Sequence, residues 1–263
     1  MSRVPRWMDR ASITRQESGR RSARVSQPDL RPTREGADLL PQRSEPGYVS
    51  DRARAAMVDA LRQAGVGDPA VLAALISIPR HQFVEAGLSG RAYEDVSLPI
   101  GHAQTISRPY TVARMIELLA ADLDSGFRGR CKVLEIGTGC GYQAAVLARI
   151  FGEVISVERI RGLHEQARAN LRSLRLGNLR LVYGDGLAGL PSQAPFDLMI
   201  AAAAGDQIPR TWLEQMTVGG RLVAPVASGD AQALHFVRRT GATQWSLQVL
   251  DTVRFVPLRD GLA

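Results

Sequence analysis

Residues 131–158 constrain the fold of this chain more than any other stretch of the sequence. An apolar run at residues 133–136 leads into a glycine-rich loop, and residues 143–151 then place apolar side chains on one face of a helix. A second apolar run, at residues 154–157, ends in Glu158. The order of strand, glycine loop, helix, strand and acid predicts one βαβ unit.

The loop between the two predicted strands has the chemistry of a nucleoside site. Gly137, Gly139 and Gly141 lack a Cβ atom, so the backbone can reach positive φ and approach a ligand closely. The helix that follows offers unpaired N–H groups at the positive end of its dipole. Glu158, at the tip of the second strand, can accept two hydrogen bonds from a ribose diol. A glycine turn that binds no ligand is the alternative.

The spacing of the loop indicates which nucleoside it suits. Dinucleotide sites use G-x-G-x-x-G, and here Tyr142 takes the position of the third glycine. Glu135 lies two residues before the loop, where a carboxylate can meet a cationic amino group. The pattern E-x-G-x-G-x-G therefore favours S-adenosylmethionine over a dinucleotide as the cofactor.

Composition argues against several other classes of protein. The sequence has no apolar run long enough for a membrane span and no apolar stretch of signal-peptide type near its N-terminus. Cys131 and Cys140 do not make a disulfide framework, so we expect a reducing, cytoplasmic location and no membrane partner. The four histidines show no metal-ligand spacing, so no metal is expected.

The basic charge of the chain lies partly in its first 48 residues. Residues 1–48 hold ten arginines and six acids, whereas the remaining residues contribute only +3 of the net charge of +7. This segment has no sustained apolar period, and we interpret it as a disordered basic arm. An arm that touches nucleic acid or an acidic surface is the alternative. Because much of the high pI belongs to the arm, we expect no nucleic-acid partner.

Residues 49–263 are predicted to form a single domain. Its first part, residues 49–121, combines helices with a loop-rich segment at residues 92–110. Its second part, residues 131–258, carries the cofactor-binding sheet. The predicted helices are 49–64, 70–77, 109–121, 143–151, 161–175 with a stop at Gly177-Asn178, and 208–216. The predicted strands are 133–136, 154–157, 179–183, 196–203 and 221–226 after a hairpin-like turn at Gly219-Gly220, followed by 232–239 and 246–256, antiparallel at the sheet edge.

Two candidate site residues have two interpretations each. Ser107 belongs to a strip of hydroxyls and amides that could bind substrate, but ahead of Pro109 it could also cap a helix. Asp185, between two glycines at the end of a strand, could reach the adenine amine in the same crevice. An aspartate in a tight turn is the alternative for that position.

These stretches together resemble the protein-L-isoaspartate O-methyltransferase family. The resemblance covers roughly residues 50–258 in order. It rests on residues 80–84, AYEDVSLPIGHAQTISRPYTVARMIELL, VLEIGTGCGYQAAVLA, VISVERI, YGDG, APFDLMI, VGGRLVAPV and VRFVPL. The T-I-S-x-P segment is more specific than the glycine loop, which all methyltransferases of this fold share.

The resemblance implies a fold, a reaction and a set of partners. The fold is a Rossmann-like class I S-adenosylmethionine-dependent α/β methyltransferase, with a mostly parallel sheet, antiparallel edge strands and an added N-terminal substrate segment. The reaction is protein repair: a methyl group passes from S-adenosylmethionine to the free α-carboxylate of L-isoaspartyl, and also D-aspartyl, residues, leaving S-adenosylhomocysteine. The partners are damaged proteins and peptides, and the enzyme is expected to be a monomer.

The resemblance also assigns residues. Ser107 corresponds to the serine beside the methyl group and the substrate carboxylate, and Gln104, Thr105 and Ile106 would line the same pocket. The cofactor positions are Glu135, Gly137, Gly139, Gly141, Glu158, Arg159, Asp185 and Gly186.

The chain departs from the family in three places. Cys140 replaces a common serine, and the small side chain is expected to be tolerated. Ala204-Gly205-Asp206 stands where members often have Ala-Pro-Pro or Ala-Pro-Glu, which puts peptide preference in doubt. The arm at residues 1–48 is not part of the family core. Two other functions stay open: a methyltransferase of this fold that acts on RNA or a small molecule, and a binding protein that has lost turnover.

Overall fold

The computed structural model describes residues 46–263, so most of the predicted arm, residues 1–45, lies outside the described residues. The first helix begins at Pro46 rather than at residue 49, and it therefore includes the last residues assigned to the arm. The described residues belong to one compact unit. None of their helices combines the length and the apolar character needed to cross a bilayer.

Seven α-helices occur in the described residues. They are α1 (Pro46–Gln63), α2 (Pro69–Ser77), α3 (Pro109–Ala120), α4 (Ser125–Arg128), α5 (Tyr142–Ile150), α6 (Arg161–Leu171) and α7 (Arg210–Glu214). The start of α2 shows how the sequence sets these boundaries. Asp68 accepts hydrogen bonds from the N–H groups of Ala70 and Val71, and Pro69 needs no partner in the first turn.

Nine strands form two sheets in the same residues. A small antiparallel pair consists of β1 (Leu98–Pro99) and β2 (Thr105–Ile106). The main sheet contains β3 (Lys132–Ile136), β4 (Glu153–Glu158), β5 (Leu179–Tyr183), β6 (Phe196–Ala201), β7 (Met216–Ser228), β8 (Ala231–Gly241) and β9 (Gln244–Thr252). Its order is β5-β4-β3-β6-β7-β8-β9. The first five of these strands are parallel, and β8 and β9 extend the edge antiparallel, as predicted.

Both faces of the parallel strands are buried, which explains their nearly continuous apolar sequences. Val133 packs on one face with side chains from α1, α2, α3, α5 and α6. Its neighbour Leu134 packs on the opposite face with Trp212 of α7. The sheet thus lies between two layers, and its strand ends are free to form a site.

Several predicted boundaries are wrong. The strand predicted at residues 246–256 ends at Thr252, the strand predicted at 196–203 ends at Ala201, and the helix predicted at 208–216 covers only Arg210–Glu214. The helix predicted at residues 161–175 ends at Leu171 and tightens into a 3₁₀ turn, and Arg175, not Gly177, takes the left-handed conformation with φ 48°. Asn178 does not stop this helix, because its side-chain amide donates to the carbonyls of Ala148 and Phe151 at the end of α5.

Gly219-Gly220 is likewise not a hairpin turn. The strand β7 runs through both glycines, and Gly219 has φ 89°. Phe196 pairs with Met216 but Leu198 pairs with Arg221, so extra residues of β7 bulge opposite β6. A left-handed glycine in a bulge gives the same sequence signal as one in a turn.

Candidate active site

A cleft opens at the carboxyl ends of β3 and β4. The chain connects β3 to β4 on one side, but the other neighbour of β3 is β6, so the strand order reverses next to β3. Ligands of open α/β sheets bind at such a reversal. Nine predicted site residues line this cleft together: Gln104, Thr105, Ile106, Ser107, Gly137, Gly139, Glu158, Arg159 and Gly186.

Glu158 organises the glycine loop as well as facing the cleft. Its Oε2 accepts a hydrogen bond from the Gly139 N–H at 2.9 Å, and its Oε1 accepts one from the Ile160 N–H at 2.9 Å. The side chain is nearly buried, with 5% of its surface exposed. Gly139 itself has φ 55°, and a Cβ there would lie 3.2 Å from Ile100 Cδ1. The loop backbone is therefore held close to the cleft by a carboxylate that a ribose could also reach.

Gly141 lets two helices pack closely, and its predicted contact with the cofactor stays a prediction. It has φ 91° and does not line the cleft. A Cβ at this position would lie 2.9 Å from Leu171 Cδ1 and 3.3 Å from Ala167 Cβ, both on α6. The third glycine of the motif lets α6 pack against the start of α5.

Glu135 is fully buried behind the residues that line the cleft, and its predicted contact with the cofactor stays a prediction. Ser156 Oγ donates to its Oε2, and Thr138 Oγ1 lies 2.6 Å from Ser156 Oγ. Burial raises the pKa of Glu135 to about 8, although Ser156 and the amide of Gln143 act to lower it. Within the described residues, Glu135 Oε1 and Gln143 Nε2 have no hydrogen-bond partner, and Gln143 lines the cleft. A polar ligand group next to Gln143 would satisfy such atoms.

Asp185 lies in a turn, and its predicted contact with the adenine amine stays a prediction. Its Oδ1 accepts from the Leu187 N–H at 2.8 Å and its Oδ2 accepts from the Gly261 N–H at 2.8 Å. The side chain is absent from the lining of the cleft, whereas the next residue, Gly186, is part of it. A Cβ on Gly186 would lie 2.6 Å from Ile136 Cγ2, so this glycine permits the close approach of two strand ends.

The capping interpretation of Ser107 is wrong. Arg108 is the N-cap residue of α3, and no side chain caps this helix. Ser107 follows β2, lines the cleft and is half-buried. Its backbone carbonyl accepts a hydrogen bond from Arg80 Nη2 at 2.8 Å. The hydroxyl is thus left for a ligand, while the backbone is fixed from behind.

The sequence reasoning missed one wall of the cleft. Residues 256–259 line it, and they are held by backbone hydrogen bonds from Ala204 N to Val256 O at 2.8 Å and from Leu258 N to Ala204 O at 2.7 Å. Further along, the Ala263 N–H donates to the Arg159 carbonyl at 2.9 Å. The stretch VRFVPL carried part of the resemblance, but nothing in its residue types pointed to a site.

The sheet order and the position of the cleft are those of class I S-adenosylmethionine-dependent methyltransferases. The family model for "Protein-L-isoaspartate(D-aspartate) O-methyltransferase (PCMT)" matches residues 52–263. This chain belongs to that family.

Relatives and solved structures agree with the assignment. A protein-L-isoaspartate O-methyltransferase of Burkholderia mallei strain SAVP1 is 56% identical over 215 residues, which is 81% of this chain and 65% of the relative. One from Ralstonia nicotianae is 54% identical over 229 residues, 82% of this chain and 71% of the relative. The chain thus spans just under two thirds of the length of the Burkholderia relative.

Two solved structures share the fold. One, a protein-L-isoaspartate O-methyltransferase, has a TM-score of 0.70 and 29% identity, covering 80% of this chain and 67% of that one. The other is a putative enzyme of the same name from Plasmodium falciparum in complex with S-adenosyl-L-homocysteine. It has a TM-score of 0.69 and 20% identity, and the match covers 78% of this chain and 98% of that chain.

Proposed function

We propose that this protein transfers the methyl group of S-adenosylmethionine to the free α-carboxylate of L-isoaspartyl residues, and of D-aspartyl residues, in damaged proteins and peptides. The observation that carries the proposal is the meeting of two motifs in one cleft. The glycine loop with Glu158 forms one wall, and the T-I-S segment with Ser107 forms another. Family membership and the complex of the Plasmodium protein with S-adenosyl-L-homocysteine support the choice of cofactor.

The residues present fit this cofactor. Glu158 lies where its carboxylate can accept hydrogen bonds from a ribose, and Arg159 and Ile160 continue the wall. Gly137 and Gly139 keep side chains out of the floor of the cleft. The unpaired atoms of Gln143 and Glu135 suit a polar group such as an amino acid moiety. When bound, S-adenosylmethionine supplies an electrophilic methyl group on a sulfonium.

The chain has little acid–base chemistry to perform. The attacking carboxylate is already ionised at neutral pH, so it needs no general base. Ser107 would orient this carboxylate through its hydroxyl, which does not cap α3. Ile106 and Ile100 exclude water from the same region, and both are buried. The proposed catalysis is therefore orientation and desolvation.

One assay tests the proposed function against its competitors. Labelled S-adenosylmethionine is offered with an isoaspartyl peptide and, separately, with the aspartyl peptide of the same sequence. We expect label in the isoaspartyl peptide alone, and loss of the ester on mild base. Label in RNA or a small molecule instead would indicate another methyltransferase of this fold. Binding of S-adenosylhomocysteine without any transfer would indicate a protein that has lost turnover.

We further propose a cytoplasmic enzyme that acts on damaged proteins as a monomer, without a nucleic-acid or membrane partner. Cys131 and Cys140 are both free and buried, which agrees with a reducing compartment.

A further inference from the structure

Arg80 is a fully buried arginine that forms no ion pair within the described residues. It lies in a 3₁₀ turn at residues 80–83, and its surface is 0% exposed. Its Nε donates to the Ala92 carbonyl at 2.8 Å and its Nη2 donates to the Ser107 carbonyl at 2.8 Å. Its Nη1 is buried without a hydrogen-bond partner in residues 46–263. A guanidinium has thus been removed from water, and one of its nitrogens makes no hydrogen bond in return.

No carboxylate pairs with this cation within the described residues. Asp95, which contributes only weakly to its electrostatic surroundings, pairs instead with Arg108 at 3.2 Å. Its other neighbours are Cys140 and Tyr142, whose ring centroid lies 4.8 Å from Arg80 Cζ, and both are neutral because burial raises their pKa. Burial lowers the pKa of Arg80, yet a guanidinium stays protonated at neutral pH. A buried charge without a charged partner is costly, so its presence beside a cleft points to a role in binding.

The position of Arg80 shows where that anion would be. Ser107, Cys140 and Tyr142, which all act on Arg80, line the cleft, whereas Arg80 does not. The guanidinium therefore lies one layer of side chains behind the wall that carries Ser107. A carboxylate bound at Ser107 would lose water on entering and would meet the field of this cation.

We propose that Arg80 is a positioning residue for the substrate: it holds Ser107 by its carbonyl and makes the site selective for a carboxylate over a neutral group. The inference rests on the proposed function. Across one layer of side chains, about 9 Å at an effective dielectric constant of about 20, Coulomb attraction corresponds to a roughly 20-fold preference. This attraction acts mainly on bound substrate, because the negative charge disappears as the ester forms.

The test compares two peptides that differ only at the reacting group. One carries an isoaspartyl residue, and its twin carries the same residue with an α-carboxamide. Binding of both is measured in the presence of saturating S-adenosylhomocysteine, for the wild type and for Arg80→Met, Arg80→Lys and the matched control Arg108→Met. Arg108 is the exposed arginine next to Ser107.

The expected result separates charge from structure. The wild type should prefer the acid by roughly 20-fold, Arg80→Met should lose most of this preference, and Arg80→Lys should keep it. Arg80→Lys should lower the turnover number, since an ammonium cannot hold both carbonyls as the planar fork does. Arg108→Met should keep the preference. The inference would be overturned if Arg80→Met bound both peptides equally more weakly, or if its preference for the acid were unchanged. A purely structural residue affects the binding of charged and neutral ligands alike.

A measurement on the wild type decides the matter even when Arg80→Met does not fold. Salt screens exposed charges much more than buried ones. If Arg80 supplies the selectivity, the preference for the acid should persist at about 0.5 M sodium chloride. Its collapse would assign the selectivity to exposed arginines. A wild type that turns over no isoaspartyl peptide would refute the proposed function, whereas turnover with an intact preference in Arg80→Met would refute this inference alone.

Discussion

Replacing Glu158 by alanine should damage both cofactor affinity and stability, and the structure gives the size of each effect. The carboxylate accepts two backbone hydrogen bonds at 2.9 Å, from Gly139 and Ile160, and is nearly buried. Hydrogen bonds to a charged group are worth about 1.5–3 kcal/mol each, and water would replace part of them in the variant. The free energy of unfolding should therefore fall by about 2–4 kcal/mol. Affinity for S-adenosylhomocysteine should fall by roughly ten- to 150-fold.

Calorimetric titration with S-adenosylhomocysteine, well below the melting temperature, measures the affinity separately from thermal unfolding. Glu158→Gln keeps the shape but has a single acceptor oxygen, so it should lie between the wild type and Glu158→Ala in both measurements. Glu117→Ala is the matched control: it removes another glutamate that accepts two backbone hydrogen bonds, from Gly67 and Asp68, and that does not line the cleft. If Glu158→Ala binds within twofold of the wild type although it is less stable, the acid only organises the loop and the reasoning is refuted.

Three further predictions follow from the site. Ser107→Ala should change the free energy of unfolding by less than about 0.5 kcal/mol, since the hydroxyl caps no helix. The same variant should lower the methylation rate by about 10- to 1000-fold, and a wild-type rate would contradict the orienting role of Ser107. Gly141→Ala should cost about 2–3 kcal/mol of stability in chemical denaturation, because its φ of 91° and Leu171 both oppose a Cβ, and an unchanged midpoint would contradict this. Burial raises the pKa of Glu135 from 4.5 to about 8, so between these pH values the folded state keeps a proton that the unfolded state releases, and stability falls as pH rises. Glu135→Gln should flatten that decline in melting temperature, and an identical slope would argue against a raised pKa.

The parts of the molecule that the sequence predicts well are those governed by local pattern. The βαβ unit at residues 131–158, the parallel apolar strands and the antiparallel edge all appear where periodicity and glycines indicated them. Gly139 and Glu158 meet in one cleft because strand ends of a parallel sheet share an edge. Ser107 reaches the same cleft from the end of β2, in the small antiparallel sheet.

The remaining features depend on contacts between distant segments, which no local pattern contains. Gly141 is small because α6 packs against it, and Asp185 is engaged by Gly261. The bulge at Gly219 arises from its register with β6. The burial of Arg80 depends on Ala92 and Ser107 closing around it. Each of these features depends on two segments that are far apart in the sequence. The type of a single residue therefore could not tell which role it has.

The wall formed by residues 256–259 has a consequence for the order in which the protein matures. During synthesis the glycine loop and β3 emerge more than 100 residues before this wall does. The sheet can therefore begin to assemble while its cleft is still open along one side. A ligand stabilises a folded state only when its site is complete, so S-adenosylmethionine would stabilise the finished domain but not its nascent precursor. Cofactor should then bind only once residues 256–259 have left the ribosome and completed the cleft.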